Sequence, residues 1–468
     1  PALPAPRAMT PPRPAQTAPA RRELCSYCAG AVGSNINYAL VSTYLIVFYT
    51  DTAGLSAAAA GTLLLIVRVA DAFADIAVGV AADNTRSRHG KFRPYLLYGS
   101  PLALAACTLC FTAPEFSATG KLVYAFCTCL LWSVAYTLCD IPYWSLTPAM
   151  TSRPEARTRI VAASRTCAQA GFWLALVGAF PLVRWLDARG LPGWTLAGAA
   201  AGLLCSLGFW VTFRGVRERE TVPRRRPQSL ARVARLLLQN RPLRQLLGTC
   251  FLLEITTAAR GALAVYYFKY HCGREDLVPV YMASYFTPLI AGCLLAPAAC
   301  RRFGKAVVVR RPILAAGALT AALWLVRDHA AAMFPVIALI GLLEGLGNIA
   351  RMSCLADCVE YGQLAGGERD EGAIFALNII KTKLAGAAGG ALLGWFLGAA
   401  GFQANTAQSP ATLRALVLVF TAATGAALAV STLPMRRYAL DETRFKAVLE
   451  QLAGRKNTTR ETAPAPPG

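Results

Sequence analysis

The stretch Arg68-Val-Ala-Asp71-Ala-Phe-Ala-Asp75 lies inside an apolar run from Ala57 to Ala82 and leads into the basic turn Asp83-Asn-Thr-Arg86-Ser-Arg88-His-Gly90-Lys91-Phe-Arg93. A run of that length is enough to cross a bilayer as a helix. Carboxylates four residues apart share a helix face, so Asp71 and Asp75 are expected within the hydrocarbon layer, where ionisable groups are costly and usually functional. Two like charges so close in a poorly solvated site stay ionised only if something neutralises them, either a proton on one of them or a cation between them. The pair is a candidate coupling-ion site.

The rest of the chain fits a membrane setting. Apolar residues make up 55% and charged residues 15%, with a mean hydropathy of +0.43, whereas roughly a quarter of an ordinary soluble domain is charged. The net charge of +22 is scattered in short segments between apolar spans, which points to membrane topology and lipid contact and not to nucleic acid. Runs of about twenty apolar residues number twelve, at 24–50, 57–82, 94–113, 122–148, 158–185, 193–213, 245–270, 279–300, 309–326, 332–358, 371–400 and 411–434. Lys and Arg favour alternate connections: Arg86, Arg88, Lys91 and Arg93 follow span two, Arg153 and Arg157 span four, Arg301, Arg302 and Lys305 span eight. Arg184, Arg189, Arg274 and Arg327 are exceptions on the other side. The positive-inside tendency then puts both termini in the cytoplasm of a multi-pass protein of the cytoplasmic (inner) membrane.

The fifteen cysteines, among them Cys25/Cys28, Cys107/Cys110 and Cys127/Cys129, sit in or beside spans without histidine partners and read as helix-packing residues. His89, His271 and His329 are scattered and receive no role. No cofactor is expected, and no metal beyond a monovalent cation at Asp71 and Asp75.

Residues 1–22 are rich in Pro, Ala and Arg, and 455–468 in Thr and Pro; such compositions cannot bury a core, and disordered tails are expected. The polar stretch 214–244 separates six spans from six, giving an N-terminal bundle at 23–213, a linker, a C-terminal bundle at 245–434 and a cytoplasmic tail at 435–468. Within the linker, Gln228 to Leu238 has the spacing of a short basic helix on the membrane surface. Arg-His-Gly90-Lys91 after span two is echoed by Arg-Phe-Gly304-Lys305 after span eight, as in a duplicated unit. Two pseudo-symmetric six-helix bundles packed face to face leave a cavity near the midplane, the architecture of a transporter.

Span four ends in Tyr136-Thr-Leu-Cys-Asp-Ile-Pro-Tyr-Trp-Ser-Leu-Thr-Pro148, bringing the Thr137 hydroxyl, the Asp140 carboxylate and the Trp144 indole onto consecutive turns. A carboxylate accepting hydroxyl hydrogen bonds beside a flat apolar plate suits a sugar ring. Arg165, Glu254, Arg260, Glu344, Arg351, Asp357, Lys381 and Lys383 are further ionisable groups in apolar surroundings, expected to line the cavity or pair with each other. Lys383 opposite Asp71 and Asp75 could hold that site neutral while the coupling ion is absent. Gly79 and Asp83, with Arg86, Arg88, Gly90 and Lys91, are expected to gate by close helix approach and charge-assisted contacts.

The segments Asp71–Asp75 and Asn84–Pro94, the segment Tyr136–Pro148, and Ala356-Asp-Cys-Val-Glu-Tyr-Gly362 followed by Glu371-Gly together resemble the glycoside-pentoside-hexuronide:cation symporters of the major facilitator superfamily, a family that includes the melibiose carrier. The similarity runs from about Tyr27 to Phe402. It implies two six-helix bundles with alternating access and movement of sugars or glycosides with Na⁺, Li⁺ or H⁺. By resemblance, Asp71, Asp75 and Thr137 fall on the cation site, Asp140, Trp144 and Arg165 on the sugar site, and Lys383 on the family's lysine of the eleventh helix. The family's asparagine between the two acids is Ala74 here, which removes a neutral oxygen ligand and favours H⁺ over Na⁺. An aspartate of the first helix that contacts sugar is Asn35, so an α-galactoside is not implied.

The expectation is a non-enzymatic, monomeric symporter of a sugar or glycoside. A carrier of a non-sugar amphiphile such as a lysolipid needs a mainly apolar cavity, against which Asn35, Asp140 and Arg165 count. An intramembrane prenyltransferase needs a second Asp-rich cluster, and the chain carries one Asp-x-x-x-Asp.

Overall fold

The computed structural model describes residues 20–151, 154–219, 230–366 and 371–461, which form helices and short connections with no strand among them. The helices are α1 (Arg21–Asp51), α2 (Ala57–Asn84), α3 (Arg93–Cys110), α4 (Ala118–Met150), α5 (Pro154–Asp187), α6 (Gly193–Gly215), the short α7 (Leu230–Gln239), α8 (Arg241–Tyr266), α9 (Leu277–Phe303), α10 (Lys305–Ala322), α11 (Ala330–Gly366), α12 (Glu371–Ala399), α13 (Pro410–Leu418), α14 (Thr424–Ser431) and α15 (Glu442–Glu461). A π-turn at Tyr267–His271 extends α8, and another at Val419–Ala423 joins α13 to α14. Nine helical segments of the described residues are long and apolar enough to cross a membrane, and the protein is an integral membrane protein. Ser56, Ser117, Asn240 and Ser409 start α2, α4, α8 and α13 by accepting a backbone N–H with the side chain, which satisfies one of the amides left free at a helix N-terminus.

The helix pairings repeat. In the first part α1 packs on α5 and α6, α3 on α4 and α6, and α2 on α4; in the second α8 packs on α12 and α14, α10 on α11 and α14, and α9 on α11. Between the parts, α2 meets α12 and α5 meets α9, while α1 meets α8. Because lipid tails are as apolar as the side chains facing them, close backbone approach rather than hydrophobic burial holds such helices together, and small residues sit at the contacts. Where α2 meets α12, a Cβ on Gly394 would lie 2.5 Å from the Ala57 carbonyl oxygen and 2.7 Å from Gly61 Cα.

The echoed Gly-Lys turns have a common physical cause. Gly90 and Gly304 both adopt positive φ, 104° and 87°, a conformation open to glycine, and each turn feeds a helix N-terminus. A carboxylate reaches each turn from a later point of the same part of the chain, Glu218 just after α6 and Glu442 at the start of α15. Glu218 accepts from the backbone N–H groups of Lys91, Phe92 and Arg93 at 2.8, 2.9 and 3.0 Å, and Glu442 accepts from Lys305 N–H at 2.8 Å.

The short helix expected in the linker is α7. The expected leading tail lies almost wholly outside the described residues, with α1 beginning at Arg21. At the other end, α15 continues to Glu461, into the stretch expected to be disordered. Asp441 starts it by accepting from Arg444 N–H at 2.9 Å, and a sequence with few breakers between Glu442 and Lys456 lets it propagate.

Candidate functional site

Asp71 and Asp75 project from α2 toward α4 and α12. Asp71 is 2% exposed. One of its oxygens accepts from Ser133 and, at 3.2 Å, from Thr137, both on α4; the other accepts from Lys383 of α12 at 3.0 Å. Asp75 accepts from Thr137 at 3.1 Å and from the same Lys383 ammonium. Arg68, one turn earlier on α2, stands 3.9 Å from Asp71 and lies over the rings of Tyr38 and Trp132. Two negative and two positive charges therefore share a confined site, and Lys383 closes it from the far end of the sequence. Beside it, a cavity of about 50 Å³ is lined by Arg68, Trp132, Ser133, Gly386, Ala387 and Gly390, between α2, α4 and α12.

One turn further along α4, Asp140 accepts from the Trp144 indole at 3.0 Å and from the Tyr136 hydroxyl at 3.3 Å. The Arg165 guanidinium of α5 stacks 4.2 Å over the Trp144 ring, so Asp140, Trp144 and Arg165 form one surface. Asn35 is not joined to it: its amide nitrogen donates to the Ala31 carbonyl of its own helix at 2.9 Å. At the end of α2, a Cβ on Gly79 would meet nothing within 4 Å, and the side chain of Asp83 lies outside the described residues. Arg86 and Arg88 are exposed in the turn that Gly90 shapes, and Lys91 lies 5.0 Å from the Phe92 ring centroid.

Between α8 and α11 two layers of charge follow one another. In the first, Arg260 and Glu344 form a bidentate ion pair at 2.8 and 3.0 Å, both buried, with the Tyr285 hydroxyl of α9 donating to Glu344 at 2.5 Å. In the next, Glu254 pairs with Lys381 of α12, while Arg351 forms no ion pair among the side chains described. Glu254 Oε2 and Arg351 Nη1 are buried without a hydrogen-bond partner. Asp51, at the end of α1, accepts from Lys269 at 2.5 Å and from Tyr270 at 2.9 Å, tying α1 to the end of α8.

Ser133, Glu218 and Asp51 were not among the residues singled out from sequence. Ser133 lies four residues before Thr137 and shares its helix face, a spacing that could have marked it. Glu218 and Asp51 carry no local signal, since their partners are distant in the chain. No cluster of three or more His, Cys, Asp and Glu suited to a metal ion occurs among the described residues.

Residues 26–442 match the family described as MFS/sugar transport protein. The chain belongs to this family. It is 32% identical over 442 residues to the uncharacterized symporter YnaJ of Bacillus subtilis, covering 92% of this chain and 95% of that one. It is also 32% identical over 450 residues to a putative sulfoquinovose importer of Salmonella typhimurium, covering 93% of each. Among solved structures, the nucleoside transporter NupG superimposes with a TM-score of 0.62 at 14% identity, over 90% of this chain and 100% of that chain, which shows the fold alone. The protein is a glycoside-pentoside-hexuronide-type member of the major facilitator superfamily, a transporter and not an enzyme.

Proposed function

We propose that the protein is a cation-coupled symporter that takes a sugar or glycoside across the cytoplasmic membrane by alternating access, as a monomer. In this reading it has twelve crossings in two pseudo-symmetric bundles, 23–213 and 245–434, joined by the linker 214–244, with both termini cytoplasmic. The repeated helix pairings support the two bundles. The observation that carries the mechanism is the Lys383 ammonium lying on both Asp71 and Asp75 across the interface of the two parts.

That ammonium occupies the place of a coupling cation. When a proton binds one acid, or a monovalent cation settles between them, Lys383 is no longer needed to balance the site and α2 and α12 are free to shift. H⁺ is the favoured ion, because among the described residues the neutral side chains bonded to the acids are the hydroxyls of Ser133 and Thr137, and Ala74 adds no oxygen. The surface made by Asp140 and Trp144 of α4 and Arg165 of α5, one turn from the two acids, supplies a carboxylate for hydroxyl groups, an indole plate and a cation for the cargo, with Lys383 beside it on the acids and Asn35, bonded to its own helix, not joined to it. Gly79, Asp83, Arg86, Arg88, Gly90 and Lys91 act as the gate at the end of α2, and the Asp51 contacts close the opposite end.

Proteoliposomes loaded with labelled glycosides under separate H⁺ and Na⁺ gradients test this. Asp75→Asn should lose accumulation by about 100-fold, within the range of coupling energies, yet keep substrate exchange across the membrane. Full accumulation by that variant refutes the coupling role.

A further inference from the structure

α10 and α14 are pressed together at one level and part at the next. A Cβ on Gly317 would stand 2.7 Å from the Gly425 carbonyl oxygen, and one on Gly425 would stand 2.5 Å from that of Gly317, so backbone lies on backbone there, as small residues allow. The helices run antiparallel, since Gly317 also meets Ala429 while Gly425 meets Ala321. Nearer the start of α10, Leu314 and Arg310 face Ala429, Val430 and Thr432 across a cavity of about 310 Å³, which Leu433 and Arg436 complete. The space has a local cause. After Ser431 the chain leaves α14 for a 3₁₀ turn at Leu433–Arg437, and this turn leans on α8. Pro434 stands 3.6 Å from where a Cβ of Gly248 would be, and the Gln245 amide donates to the Arg437 carbonyl at 2.9 Å.

Two guanidiniums and no carboxylate line the cavity. Arg310 Nε is buried without a hydrogen-bond partner, and an unsatisfied buried donor costs more than a made hydrogen bond gains. The remaining wall is mostly apolar. Val430 and Leu433 are 50% and 58% exposed, and on helices that cross a membrane such side chains face lipid, so the opening gives onto the bilayer. Arg310 follows Lys305, the first residue of α10, by five residues, about 7.5 Å along a helix axis. That is the depth of lipid headgroups, and Leu314, one turn further in, reaches the hydrocarbon. Positive charge at headgroup depth above an apolar floor is the complement of a phospholipid.

We propose that the cleft between α10 and the end of α14 binds an anionic phospholipid, its phosphate held between the Arg310 and Arg436 guanidiniums and its acyl chains lying along Leu314, Val430 and Leu433. A phosphate oxygen gives Arg310 Nε the acceptor it lacks, and guanidinium on phosphate is a charge-assisted match that can be bidentate. Net charge selects the lipid class. A choline headgroup would carry an ammonium into a site with two positive charges and no negative one, whereas phosphatidylglycerol brings a single negative charge with nothing to offset it. By bridging the helices where they part, the lipid continues the seam that Gly317 and Gly425 begin and holds the last span on α10. The inference rests on these helices lying in a membrane, and not on the cargo or the coupling ion.

The test uses the full-length protein freed of lipid in detergent, with native mass spectrometry counting bound lipid and melting curves reading its effect. Phosphatidylglycerol should remain as one tightly held copy and raise the melting temperature, while phosphatidylcholine at the same concentration should do neither. Arg310→Gln should weaken that copy about tenfold, as expected for the loss of one charge-assisted hydrogen bond, and Arg310→Lys, which keeps the charge without the fork, should recover part of it. Arg436 is exposed, so Arg436→Gln gives the same reading if Arg310→Gln does not fold. Arg301→Gln removes an exposed arginine outside the cavity and should leave binding unchanged. Equal retention of the two lipids, or an equal loss in Arg301→Gln, would mean general surface attraction and overturn the site. Stabilisation by inorganic phosphate or glycerol phosphate as strong as that by phosphatidylglycerol at equal concentration would overturn the lipid as its occupant.

Discussion

At Asp71 and Asp75 every carboxylate oxygen has a partner, supplied by Ser133, Thr137 and Lys383, whereas Glu254 and Arg351 each keep a buried polar atom with none. The first site bridges the two parts of the chain through α2 and α12. The second lies within the later helices. A saturated site can change only by exchanging a partner, which is the step proposed for a coupling ion at the Lys383 ammonium. An unsaturated one can change by gaining a partner. The buried pair Arg260–Glu344 provides the internal reference, since it uses the same residue types on the same two helices and leaves no opening.

The largest effect is expected where that reference pair is broken. Glu344→Leu leaves the Arg260 guanidinium buried and uncompensated, a loss of about 3–5 kcal/mol, and the melting temperature of the purified protein should fall steeply. Arg260→Met combined with Glu344→Leu should recover most of it, because an apolar pair of similar volume fits the same space. Arg351→Met should instead leave stability nearly unchanged or raise it, since it removes an unsatisfied group. Equal destabilisation by Glu344→Leu and Arg351→Met would erase the contrast between the closed and open layers.

Next in size is the contact that lets Lys383 reach its acids. Gly394→Leu places carbon where the Ala57 oxygen and Gly61 Cα already stand, and overpacking of this kind costs about 1–3 kcal/mol. The strain falls on α2 against α12, so gradient-driven uptake should drop at least as far as it does in Lys383→Gln, while the melting temperature falls by less than in Glu344→Leu. A lowered melting temperature with gradient-driven uptake unchanged would show that the helix contact serves stability alone.

A smaller change is expected at the closed end. Asp51→Asn keeps a hydrogen-bond acceptor for Tyr270 but loses the charge that Lys269 faces, a difference of about 1–2 kcal/mol for a charge-assisted bond. Amide hydrogen exchange should accelerate at residues 48–55 and 266–272 and stay constant around Asp71. Unchanged exchange would remove Asp51 from the closure.

Much of this was legible in the sequence where the signal is local. Span length and apolar composition marked the membrane helices, and the Asp-x-x-x-Asp spacing together with Tyr136 to Trp144 marked faces of α2 and α4, because helical periodicity converts spacing into direction. What joins those faces was not legible. Lys383 is expected from sequence opposite the two acids as a neutralising cation, but nothing near it in the chain fixes that one ammonium lies on both carboxylates. Glu254, Arg260, Glu344 and Arg351 stood together as undifferentiated ionisable residues; which of them pair depends on the antiparallel register of α8 and α11, a tertiary property. The helical stretch 455–461 at the end of α15 departs from the disorder expected over 455–468 for the opposite reason, since composition averages over Thr and Pro at the very end of the chain and hides the helix that propagates into it.

The smallest effect separates the two Gly-Lys turns. Glu218 collects three backbone N–H groups at the start of α3 and Glu442 one at the start of α10, although Gly90 and Gly304 both hold a positive φ. A carboxylate on helix-terminal amides gains from charge-assisted hydrogen bonds and from the helix dipole together, so neutralising it costs about 1 kcal/mol or somewhat more for Glu218→Gln and roughly half that for Glu442→Gln. Lys305 also holds Asp357 at 2.7 Å, which keeps the second turn anchored when Glu442 is changed. Melting curves of the two variants, measured at low and high salt, should therefore differ in the order Glu218→Gln below Glu442→Gln, with the gap shrinking as salt rises, because exposed charge interactions are screened. An inverted order would mean that the turn after α9 depends on its cap more than the geometry allows, and that the repeat is one of sequence letters without a shared mechanical role.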